Sequence, residues 1–195
     1  MAEFINDFMK QFGPDVSRNL SANLGLSPKA SSQIIPEVIP MILGGLKRQM
    51  ETRGGPDRLN HILNKYGSSD VLGRIGEEMS MRSQQAEPDP RLGGLLGESG
   101  VQASQMIAQR FGIDAKKAMG LIPMLAPLIL GALSRKRDQG GAGLDGIASL
   151  IDRDGDGEIL DDIAGFLFQG SSQPTGESRG GLLGSLLGGL FRRRR

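Results

Sequence analysis

Residues 24–48 read LGLSPKASSQIIPEVIPMILGGLKR, and residues 111–135 read FGIDAKKAMGLIPMLAPLILGALSR. The two stretches align without a gap at a separation of 87 residues. Gly25 falls on Gly112, Ile35 on Ile122, Pro36 on Pro123, Pro40 on Pro127, Leu43-Gly44 on Leu130-Gly131, Leu46 on Leu133 and Arg48 on Arg135. Two prolines four apart inside an apolar run are a costly device. Each removes a helix hydrogen bond and crowds the preceding turn, at about 3 kcal/mol in a helix interior. Meeting the device twice marks an internal repeat.

Each copy reads as a short helix opening at Ser27-Pro28 or at Asp114, both good N-terminal caps, followed by a bend at the first proline and a second, strongly apolar helix. Prolines four apart share a helical face and can form a bent ridge against a neighbour. Upstream, FINDFMKQFGPDVSRNLSANLG and SGVQASQMIAQRFG supply an amphipathic helix for each copy. Downstream, PDRLNHILNKYG and GLDGIASLID supply the next, with the separation reduced to 85.

The expected fold is therefore all-α, a helical bundle of two internally repeated helical units with proline-bent apolar helices. Residues 1–81 form the first repeat and 82–100 a Pro/Gly-rich linker. Residues 101–168 form the second repeat, with an acidic loop at 152–162, and 169–195 a flexible linker and Leu/Gly tail.

Composition agrees with helices. The 195 residues include 30 glycines, no tryptophan and eight aromatics, so the core must be built of Leu, Ile, Met and Ala. Lys plus Arg, 23, nearly cancel Asp plus Glu, 22, which leaves no global field to draw the chain to nucleic acid or an anionic membrane. Any such attraction is local. The absence of cysteine removes disulfides, thiolate zinc sites and cysteine nucleophiles. MAEFINDFMKQF lacks a basic segment followed by an apolar run, so a cytoplasmic location is expected.

Ala118–Leu133 holds sixteen uncharged residues between Lys116-Lys117 and Arg135-Lys136-Arg137. It falls short of the roughly 20 residues that a bilayer requires and contains two prolines, so a buried core helix is expected. The single histidine, His61, sits on a helix shoulder beside Leu59, Ile62 and Leu63, in a packing or solvent role. No Ser/His/Asp spacing resembles a nucleophile elbow and no phosphate-binding loop is present, so the chain reads as noncatalytic, without a small-molecule substrate.

The stretch IDRDGDGEILDDIAGFL, residues 151–167, carries the densest chemistry. Asp152, Asp154 and Asp156 alternate before Gly157, as in the opening of an EF-hand calcium loop, yet the twelfth position holds Ile163 where a two-oxygen glutamate belongs. Deleting one residue after Ile159 restores the register. Asp162, with Asp161 before it, then closes the shell, and Ile163 becomes the first apolar residue of the exiting helix. Leu144, Ile147, Ala148 and Ile151 supply the stripe of an entering helix.

On this reading Asp152, Asp154 and Asp156 give side-chain oxygens, Glu158 its backbone carbonyl and Asp162 the closing carboxylate. Hard oxygen donors without His or Cys favour calcium (Ca2+), with magnesium (Mg2+) second. The alternative is a solvated Asp-Gly turn. The matching stretch of the first copy, NKYGSSD, turns the same corner at Gly67–Asp70 with one acid, so the fold does not need the acids for the turn itself. Bound calcium would hold the helix corner shut as a structural ion.

After QGSSQPTGESRG the chain ends GLLGSLLGGLFRRRR. Leu182, Leu183, Leu186, Leu187, Leu190 and Phe191 cover one half of a short helix, with glycine and serine on the other. Each interior glycine costs about 1 kcal/mol relative to alanine, so this helix requires a covering surface. Candidates are a protein partner, a second copy of the chain, or an anionic membrane attracted by Arg192, Arg193, Arg194 and Arg195. No aromatics interleave with these arginines as a base-stacking surface demands, which argues against nucleic acid.

The doubled IPxxxP-ILGxL element, the LLGxLLGG-like phrases and the DRDGDG loop followed by DDI together resemble the bacterial domain-of-unknown-function 937 family, the relatives of YidB-like proteins. The resemblance covers most of residues 15–168 and implies a compact all-helical bacterial domain without known catalytic activity. It assigns no substrate. The calcium ligands follow from the general loop motif, and the arginine-ended tail lies outside the match.

Overall fold

A computed structural model describes residues 1–84, 99–139 and 141–152. Their regular structure is helical, with no strand among the described residues. Helices α1 (Ala2–Leu24), α2 (Pro28–Arg53) and α3 (Gly55–Tyr66) lead to a 3-10 turn, Ser69–Gly73, and to α4 (Ile75–Ser83). Helices α5 (Ser99–Phe111), α6 (Ala115–Asp138) and α7 (Gly143–Asp152) follow. All belong to one compact unit, Met1–Ile159; a second unit, Leu160–Arg195, lies outside the described residues. Both ends of the stretch read as a linker are helical, since α4 runs through Arg82 and Ser83 and α5 starts at Ser99.

The bend expected at each first proline does not divide the element. Helix α2 runs unbroken through Pro36 and Pro40, and α6 through Pro123 and Pro127. Spacing the prolines by four confines the missing donors to one strip, because the N–H that Pro40 lacks is the one the Pro36 carbonyl would accept. The two prolines cost roughly 6 kcal/mol together. Ile34, Ile35, Val38, Ile39, Ile42, Leu43 and Leu46 are fully buried on the same helix, and at roughly 1.5–3 kcal/mol each they outweigh that cost.

Helix ends match the sequence signals. The Ser27 Oγ accepts from the Ala30 N–H at 3.1 Å, and an Asp114 carboxylate oxygen accepts from Lys116 N–H at 2.8 Å and Lys117 N–H at 3.4 Å. Gly25 and Gly112 both take left-handed φ values, 66° and 61°, after α1 and α5. An L side chain is strained there, which accounts for glycine at both. The Lys117 ammonium donates to the Leu24 carbonyl at 2.8 Å, satisfying an orphan acceptor at the end of α1 from 93 residues away.

Helix α6 is central: it packs on α2, α3, the 3-10 turn, α4, α5 and α7. Every residue from Leu121 to Ser134 is buried. A helix surrounded on all sides must be apolar all round, which explains the long uncharged run. It has the length and composition to cross a membrane, and 78% of its most apolar window is buried inside the protein. His61 lies exposed on α3, whose Leu59, Ile62 and Leu63 enter the core.

Candidate functional site

Helix α7 delivers the start of the acidic loop. Ile147 and Ile151 are buried and Leu144 and Ala148 half-buried, so the stripe expected of an entering helix faces the core. Asp152 is the last described residue of α7 and is 63% exposed at its side chain. Asp154, Asp156, Glu158, Asp161 and Asp162 lie outside the described residues, as do the tail residues from Leu182 to Arg195. Among the described residues no group of three His, Asp or Glu side chains is arranged to hold a metal ion.

Sequence reading missed the partner of Asp152. The Lys47 ammonium, on α2, stands 3.4 Å from an Asp152 carboxylate oxygen, and its side chain is only 4% exposed. Lys47 supplies the opposing charge. Since Asp152 is open to solvent, the pair contributes only about 0–1 kcal/mol to stability. Its chemical meaning is larger: a cation of the protein already occupies one side of the first carboxylate of the loop.

At the corresponding corner of the first copy no such ion pair stands among the described residues. By the sequence alignment Gly67 matches Asp152 and Ser134 matches Lys47. Gly67 lies so close to α6 that a Cβ on it would sit 2.7 Å from Ser134 Oγ and 2.8 Å from the Leu130 carbonyl. Gly131 presses on the Ser68 carbonyl in the same way, at 2.8 Å. Ser134 Oγ is buried and makes no hydrogen bond. The turn expected at Gly67–Asp70 extends further, through the 3-10 turn to Gly73.

Two more polar groups of α2 enter the core. Glu37, 7% exposed, pairs with Arg110 of α5 at 3.1 Å through one carboxylate oxygen, and the other oxygen has no hydrogen-bond partner. Burial pushes the Glu37 carboxyl above its ordinary range, and the Arg110 guanidinium offsets part of that rise. Gln49 accepts from Arg58 of α3 at 3.3 and 3.2 Å. The available signal was a charge standing alone in an apolar run, which demands a partner from elsewhere in the fold.

Comparison with curated proteins and with solved structures returns no match. A family model described as bacterial protein of unknown function (DUF937) matches residues 6–136 and again 136–194. Those two spans take in nearly the whole sequence, and on this ground the chain belongs to the DUF937 family of bacterial proteins of unknown function.

Proposed function

We propose that this chain is a noncatalytic helical module whose corner after α7 is held by one calcium ion, with magnesium as the weaker alternative. The ligands are Asp152, Asp154, Asp156, the Glu158 carbonyl and Asp162. The observation that supports this reading is that the helix before the loop buries its apolar stripe and carries Asp152, the first acid of the pattern, at an exposed position. Six acids lie from Asp152 to Asp162, and Lys47 stands against the first of them. A divalent cation would relieve the remaining repulsion. The module is built of two repeats around proline-containing apolar helices and serves to bind a protein partner or a second copy of itself in the cytoplasm.

Calorimetric titration with calcium tests the metal. Heat of binding is expected for the wild type and not for Asp154→Asn, and equal heats, or none in either, would reject the site. A second reading, peripheral membrane contact, draws on the leucine face and four terminal arginines of the tail. Flotation with anionic vesicles, comparing the full chain with one ending at Gly170, decides it: tail-dependent flotation favours the membrane, and equal flotation removes it.

A further inference from the structure

We draw no further inference here: the strongest candidate, the buried Lys47 ammonium of α2 set against Asp152 of α7, belongs to the candidate metal corner already described.

Discussion

Gly67 after α3 and Asp152 on α7 hold matching places in the two sequence copies and meet their neighbouring helices by opposite means. At the first, Gly67 lets the chain touch α6 backbone to backbone, and the Ser134 hydroxyl beside it is buried without a partner. At the second, an aspartate replaces the glycine and a lysine replaces the serine, and contact at closest range gives way to an ion pair at 3.4 Å. Steric closure is insensitive to solution conditions; electrostatic closure responds to salt and to competing cations. A corner of the second kind can be strengthened by a ligand, and one of the first kind cannot.

The largest effect expected from testing this contrast is steric. Gly67→Ala should lose about 1–3 kcal/mol in urea unfolding, because its methyl meets the Leu130 carbonyl, which cannot rotate away. A loss within 0.3 kcal/mol of zero, a margin on the order of measurement error for separate sites, would show that the closeness at that corner does not matter. Next comes the charge exchange. Lys47→Met removes the cation that competes for Asp152, so calcium should bind several-fold more tightly while stability without calcium changes by about 1 kcal/mol or less. Unchanged affinity in Lys47→Met, beside measurable binding in the wild type, would separate Lys47 from the metal.

Smaller still is the orphan hydroxyl. Ser134→Ala should raise stability by up to about 1 kcal/mol, since a buried oxygen without a partner is removed at almost no loss of volume. The smallest effect concerns pH. The folded-state pKa of Glu37 lies above its unfolded value, so the native state holds the proton more tightly and stability falls as pH rises from the ordinary carboxylate range through the raised pKa. Denaturation midpoints of the wild type should show that decline and those of Glu37→Gln should lack it.

Much of the fold was legible. Ser27 and Asp114 announced two helix starts and the uncharged run a buried core helix, because each of these is a local rule. The unbroken course of α2 and α6 was less so, since a proline states its own cost and not the burial that exceeds it. Of the candidate site, the stripe of α7 was readable and Lys47 was not: 105 residues separate it from Asp152, and their meeting depends on how α2 and α7 pack. The same holds for Glu37 and Arg110, whose pairing was foreshadowed only by a carboxylate in apolar company.

The burial of α6 by its neighbours bears on synthesis at the ribosome. The helix on which α3, the 3-10 turn and α4 rest is translated after all of them, and 54 residues separate Gln84 from Asp138. At about 5–20 residues per second, the leading segment waits roughly 3–10 s before its packing partner emerges. During that interval the faces of α2, α3 and α4 that rest on α6 in the folded protein have no α6 to cover them.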